Sequence, residues 1–386
     1  MQRNLEKKLK QLFGKFPIVF LTGPRQSGKT TLAQMAFPSL PYVNFEDISL
    51  QEEVRLDPHG FLKEYNSGVI IDEAQLVPEI FSYIQLYSDR RNVPGQYLLT
   101  GSQNFLLNEK ISQSLAGRVG ILKLLPLNYS EISENYDANI DQMIINGGYP
   151  RLYEQEISAT DFFSGYLQTY VERDVRQLKN ISSLGDFQRL LFLCAGRVGQ
   201  VLNLSSLCGD CGMSVPTIKS WISILEASYI VYLTHPLHVN TNKQMVKSPK
   251  LYFYDTGLLC HLLKIQTRDQ LKQHFAYGSI FENFVVNEIL KFQLNQGEMP
   301  NMYFLRDSKG HEIDCVVPKA KYRTLYEIKS GSTFSKTFTK NIEYYRNEND
   351  KGFVLYQGER NSEFKNTKIR NIETFLKNLE GEKEIS

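Results

Sequence analysis

No stretch of this 386-residue sequence is apolar for long enough to cross a bilayer. A spanning helix needs about 20 apolar residues, and runs such as "VIID" and "ASYIVYL" stop far short, so no membrane segment is expected. Cysteine is scarce: Cys194, Cys208, Cys211, Cys260 and Cys315 are odd in number and not spaced as a disulfide framework. The opening "MQRNLEKKLKQLF" also lacks the apolar core of a secretion signal, so a reducing, cytoplasmic setting is expected. An excess of either charge is missing as well, the formal net charge being +2. No global field marks a nucleic-acid binder, and any contact to phosphate must come from local clusters. Internal repeats and low-complexity tracts are absent, and only the tail "LEGEKEIS" reads as frayed.

What is present is an ordinary globular composition, 42% hydrophobic and 22% charged, over a length that suits two or three domains. Leu5, Leu9, Leu12, Phe13 and Phe16 recur at helical spacing ahead of Pro17 and predict a packing helix. Apolar runs at 18–22, 42–46, 69–73, 96–101 and 119–127 then alternate with helical stretches, the pattern of a parallel sheet covered on both faces. Gly147, Gly148 and Pro150 punctuate the chain and place a boundary near 150. Residues 187–260 read as short helices followed by "SYIVYLTHPL" and "KLYFYDTGLL", with the basic loop "VNTNKQMVKSPK" between them. That order suggests a winged helix-turn-helix. Near 275 the character changes again: "GSIFENFVVNEILKFQL" predicts a helix, and "NMYFLR", "HEIDCVVP" and "TLYEIKS" predict strands.

The chemistry concentrates first in "GPRQSGKT", residues 23–30, which fits GxxxxGK[ST] between a predicted strand and a predicted helix. Gly23, Pro24, Arg25, Gln26, Ser27, Gly28, Lys29, Thr30 and Thr31 form the expected ATP cradle. Glycines let backbone N–H groups face phosphate oxygens and the helix start adds its dipole. Lys29, expected to be solvated, neutralises the outer phosphates, and Thr30 ligates Mg2+. "VIIDEAQ" adds Asp72 to support the metal and Glu73 to polarise the attacking water, so hydrolysis is expected. "LLTGSQN" ends the fourth strand with Thr100, Ser102, Gln103 and Asn104, of which Ser102 is chosen to touch the water or the outer phosphate. In "SLAGRVG", Arg118 could reach phosphate in its own subunit or a neighbour's, the latter requiring a homo-oligomer; the plainer reading is a surface arginine capping a helix end.

The C-terminal part carries a second set. Strand alternation puts Glu312 and Asp314 on one face of "HEIDCVV", and Glu327 and Lys329 on one face of "YEIKS". With Glu282 on the preceding helix, this resembles the restriction-endonuclease-like order of an acid, then Asp, then Glu-x-Lys. Carboxylates of that kind hold Mg2+ for phosphodiester chemistry, and the lysine favours deprotonated water. Here the Asp stands in "EID" rather than behind a proline, and a degraded site would keep these residues as strand-pairing ion pairs. In "GMSVPTIKSWISILEAS", Ser214 is the expected N-cap and Ile218, Trp221, Ile222 and Leu225 the buried face. Thr217, Lys219 and Ser220 then point outward and, with Lys243, Lys247 and Lys250 of the wing, are candidate DNA contacts; a protein-binding winged helix is the alternative. Cys208 and Cys211 form a CxxC without a second pair and read as packing cysteines, while Arg173 and Arg176 read as charge partners of Glu172 and Asp174.

Across "GPRQSGKTTL", "VIIDEAQ", "LLTGSQN", "SLAGRVG", "LLPLNYSEI" and "GGYPRLY", the first part resembles prokaryotic AAA-type ATPases that carry a C-terminal DUF4143 domain. "YVERDV", "SPKLYFYDTGLL", "FENFVVNEIL" and the "HEIDCVV" and "YEIKSG" pair extend the resemblance nearly end to end. It implies an α/β fold: a P-loop AAA-like parallel-sheet ATPase core at 1–150, a helical linker and winged-helix domain at 151–270, and a restriction-endonuclease-like α/β domain at 271–386. The expected function is ATP hydrolysis with Mg2+ coupled to DNA binding or remodelling. The alternatives are an ATP-regulated, Mg2+-dependent DNA nuclease and a nucleotide-dependent switch that binds protein partners without DNA.

Overall fold

A computed structural model describes residues 1–102, 115–137, 139–155, 157–171, 183–237 and 245–379. The chain forms two compact units, Met1–Leu127 with Leu294–Glu298, and Asn128–Gln293 with Met299–Ser386.

The first unit is built on five strands: β1 (Ile18–Thr22), β2 (Tyr42–Asn44), β3 (Val69–Asp72), β4 (Tyr97–Gly101) and β5 (Val119–Lys123). They lie in the order β2-β3-β4-β1-β5, every pair parallel. β1, β3 and β4 are buried at every position, which is why they read as continuous apolar runs rather than alternating ones. Their residues divide by parity. Ile18, Phe20, Ile71 and Leu99 join one core with Phe81 and Ile84, whereas Val19, Leu21, Ile70 and Leu98 join another with Leu9, Leu32 and Ala33. Two strands end earlier than the apolar pattern predicts. β2 stops at Asn44 because Asp47 caps the helix Ile48–Leu56, and β5 stops at Lys123 shortly before Pro126 and the helix Tyr129–Ser133, capped by Asn128 and Glu131.

In the second unit, helices Leu184–Ala195, Leu204–Cys211 and Val215–Ala227 precede an antiparallel pair, β6 (Val231–Thr234) and β7 (Lys250–Phe253). Ser214 caps the third helix, and Ile218, Trp221, Ile222 and Leu225 are buried as their spacing predicts. After the helix Tyr277–Asn295 comes a six-stranded sheet of β8 (Tyr303–Arg306), β9 (Glu312–Pro318), β10 (Arg323–Lys329), β11 (Lys351–Tyr356), β12 (Ser362–Phe364) and β13 (Thr367–Asn371). Its order is β12-β13-β11-β10-β9-β8; β8, β9 and β10 pair antiparallel, while β10, β11 and β13 pair parallel. Bridges Pro236–Phe304 and Met245–Asp307 join the flanks of the β6–β7 pair to β8 and the residue after it. No helix among the described residues is long and apolar enough to cross a membrane.

Candidate nucleotide site and a second carboxylate cluster

The strand order decides what meets at the carboxyl ends of the first sheet. β4 lies between β1, which feeds the glycine loop, and β3, which ends in Asp72, so side chains leaving β4 fall between loop and acid. The loop itself needs its glycines. Gly23 has φ +149°, and a Cβ there would lie 2.0 Å from the Leu124 carbonyl oxygen. Gly28, at φ +90°, sits at the start of the helix Lys29–Ala36. Ser27 Oγ is buried with no hydrogen-bond partner, as a group reserved for a ligand would be.

Lys29 is not solvated, against expectation. Its side chain is 6% exposed and its Nζ donates to the carbonyls of Pro24 at 2.8 Å and Gly23 at 3.1 Å. Burial pushes its pKa down to about 8 against the pull of Glu73 and Asp72, the expected response of an ammonium removed from water. Asp72 is held by hydroxyls: Thr30 Oγ1 donates to Oδ2 at 2.7 Å, Tyr42 at 2.9 Å, and Thr100 Oγ1 donates to Oδ1. Glu73 has φ +50°, a left-handed conformation unusual outside glycine. Its Oε2 accepts from Gln75 Nε2 and from Ser102 Oγ at 3.4 Å. Thr100 and Ser102 of one strand end thus serve the two acids separately.

Tyr42, Gln75 and Arg3 were not singled out by the sequence. Burial and Asp72 raise the Tyr42 phenol, which keeps it a donor. Arg3 is 7% exposed and donates to the carbonyls of Ser27 and Leu125, each at 2.7 Å, bracing the loop from behind. Only "DEAQ" carried a readable signal, since Gln75 directly follows the acids.

Arg118 lies elsewhere. β5 runs parallel to β1 with Val119 opposite Ile18, so Arg118 stands at the amino end of the sheet and the loop at the carboxyl end. The intervening strand spans about 15 Å at ~3.3 Å per residue. Its guanidinium is paired with Asp89 and donates to the Ala116 carbonyl at 3.0 Å. Of the two readings left open, its own subunit's phosphate or a neighbour's, the register of β5 speaks against the first. Gln103, Asn104, Arg173, Arg176 and Lys243 lie outside the described residues.

The second set does assemble. Asp314 accepts from the Ile328 N–H at 2.7 Å, Lys329 Nζ lies 2.8 Å from Glu327 Oε1 and 3.8 Å from Asp314 Oδ2, and Asn341 reaches Glu327 at 3.5 Å. Glu282 Oε1 accepts from Lys250 Nζ at 2.8 Å and from Tyr252 at 2.5 Å. Lys250 also pairs with Glu312, whose other oxygen takes Arg306 at 2.7 Å. Burial would lower Lys250, yet Glu282, Asp314 and Glu312 outweigh it and raise its pKa; burial raises Glu282 and Glu327 against the pull of their lysines. Lys250, expected on an exposed wing, is 1% exposed and cannot meet DNA phosphate. Lys219 and Lys247 are exposed, Thr217 and Ser220 partly so. Cys211 is buried.

An all-parallel sheet with this glycine loop, helix start and acid pair defines an AAA-type P-loop ATPase-like protein. Residues 15–133 match an AAA domain, 137–269 the domain of unknown function DUF8612, and 277–375 the domain of unknown function DUF4143. An uncharacterized protein of Mycobacterium tuberculosis is 30% identical over 337 residues, covering 86% of this chain and 74% of that protein. One of Haemophilus influenzae is 23% identical over 338 residues, covering 78% and 80%. Among solved structures, a Walker-type ATPase of Pyrococcus abyssi aligns over 68% of this chain and 95% of its own, at 14% identity and TM-score 0.46. The chain belongs to the family of AAA-domain proteins that carry a DUF4143 domain towards the C-terminus.

Proposed function

We propose that the chain hydrolyses ATP with Mg2+ at the glycine loop and uses the cycle to engage or remodel DNA through its second unit. The observation that carries the hydrolytic half is the pairing of Thr30 with Asp72 beside a Glu73 positioned by Gln75 and Ser102. Mg2+ would be held by Thr30 and, through its water shell, Asp72, and supplies positive charge beside the phosphates. Lys29 exchanges the Gly23 and Pro24 carbonyls for phosphate oxygens, and Glu73 orients the attacking water. Arg118 acts, in this reading, on the nucleotide of a neighbouring copy after exchanging Asp89 for phosphate, since its own loop is out of reach; this role requires a homo-oligomer.

The DNA half takes 1–150 as the ATPase part, 151–270 as a winged-helix part and 271–386 as a nuclease-like part. Three helices followed by the β6–β7 pair support the second assignment, with Lys219 and Lys247 exposed for phosphate. A mixed sheet presenting Asp314, Glu327 and Lys329, with Glu282 on the preceding helix, supports the third.

Steady-state ATP hydrolysis, alone and with single-stranded, duplex or branched DNA, tests both halves. The expected result is stimulation by one DNA form, weakened steeply by salt, with Glu73→Gln silent throughout. A genuine rate indifferent to every DNA form would remove the DNA half and favour a switch that binds protein partners.

A further inference from the structure

Glu282, Glu312, Asp314 and Glu327 all lie within the segment matching DUF4143. Lys250 does not. It opens β7, inside the segment matching DUF8612, where Leu251, Tyr252 and Phe253 are buried with it. An ammonium in such a place is costly unless paired. Here its 1% exposed side chain is paired twice, with Glu282 and with Glu312. Tyr252, two residues along the same strand, donates to the same Glu282 oxygen, and Arg306 and Lys329 engage Glu312 and Glu327. Four carboxylates thus face three internal cations.

This residue set is one that would ordinarily take magnesium. Mg2+ demands a near-octahedral shell of oxygens at about 2.0–2.1 Å, and here donors already occupy most of those oxygens. Glu327 Oε2 is buried without a partner and no donor reaches Glu282 Oε2 or Asp314 Oδ1 among the described residues, yet a lysine already sits against the other oxygen of each of these three carboxylates. Among the described residues no group of three or more His, Cys, Asp or Glu side chains is placed to hold a metal ion. The residues do not fit the ion.

We propose that Lys250 is a built-in cation that takes magnesium's place in this carboxylate cluster, turning it into an ionic latch between the β6–β7 pair and the six-stranded sheet. The bridges Pro236–Phe304 and Met245–Asp307 run from the flanks of the β6–β7 pair to β8 and the residue after it, along the seam that the latch closes. A buried ion pair adds little net stability, and setting register is its best-attested use; the proposed role here is to set how two family segments meet. The latch uses residues that also mark the nuclease-like part, but its test needs neither ATP nor DNA and fails separately from the function proposed above.

The test counts bound Mn2+ by electron paramagnetic resonance on the full chain carrying Asp72→Asn, which silences the glycine-loop metal, without nucleotide. Adding Asp314→Asn is expected to leave the number of ions per chain unchanged. Adding Lys250→Met is expected to create one further Mn2+ per chain, lost again on combining it with Glu282→Gln. Loss of an ion with Asp314→Asn would overturn the proposal, as would a folded Lys250→Met chain that gains none. The Asp314→Asn comparison leaves Lys250 in place and can overturn the proposal even where Lys250→Met does not fold.

Discussion

The glycine-loop site and the C-terminal cluster draw on the same residue types, lysines and carboxylates, wired in opposite ways. At the loop, Lys29 rests on carbonyl oxygens and Asp72 on hydroxyls, and no salt bridge joins the lysine to either acid among the described residues. In the cluster, Lys250 and Lys329 each lie 2.8 Å from a carboxylate oxygen. Neutral partners leave charge available to a ligand; charged partners cancel it. Residue type at a given spacing is therefore insufficient to assign chemistry, and the identity of the hydrogen-bond partners decides between a working site and a structural one.

The largest effect expected from breaking this contrast is at Lys250. Lys250→Met leaves Glu282 with Tyr252 alone and Glu312 with Arg306 alone and should lower unfolding stability by roughly 3–5 kcal/mol, the cost of removing one partner of a buried pair; urea unfolding measures it, and Lys250→Met/Glu282→Gln should recover part. Next comes Lys29→Ala, expected to reduce hydrolysis by about 100-fold or more. Because Lys29 is buried, circular dichroism must show the variant folded before the rate is interpreted. Tyr42→Phe removes one of three hydroxyls on Asp72 and should cost about 1.5 kcal/mol, roughly tenfold in kcat/KM; an unchanged value would leave Thr30 and Thr100 sufficient.

The smallest effect calibrates the others. Asp350 is held by Arg323 through side-chain and backbone hydrogen bonds that outweigh its burial, so its pKa lies below the usual carboxylate value. A depressed folded pKa gives stability that is present above about pH 4 and is lost as pH falls through the folded value. Arg323→Gln leaves the backbone N–H bonds of Arg323 and Asn347 to Asp350 in place and should therefore lower stability at neutral pH by about 1 kcal/mol, with variant and wild type converging in acid. A difference that persists at pH 2 would mean that packing, not charge, explains the change.

The loop was legible because its grammar is local. β1 runs from Ile18 to Thr22 as its apolar run predicts, bounded by Pro17 and Gly23, and GxxxxGK[ST] needs nothing from elsewhere in the chain. The partners of Asp72 were not legible in the same way: Tyr42 and Thr100 reach it only because β2 and β4 flank β3, and strand order leaves no mark on the residues themselves. Arg3 acts on Ser27 and Leu125 across folded, not sequential, distance. Lys250 misled for a related reason. It follows the polar "KSP" of a basic loop and reads as surface, but its surroundings are set by Glu282 and Glu312. Arg118 carried the right residue type for phosphate, and the register of β5 against β1, invisible in "SLAGRVG", moved it to the other end of the sheet.

The most direct test of the central claim is phosphate release from ATP in the presence of Mg2+, compared between wild type and Glu73→Gln with nucleotide binding measured on both. Turnover by wild type, and a loss of roughly 10²- to 10⁴-fold in a variant that still binds nucleotide, is the predicted result. Equal turnover by the two proteins would contradict it, placing the chemistry away from the acid pair that ends β3.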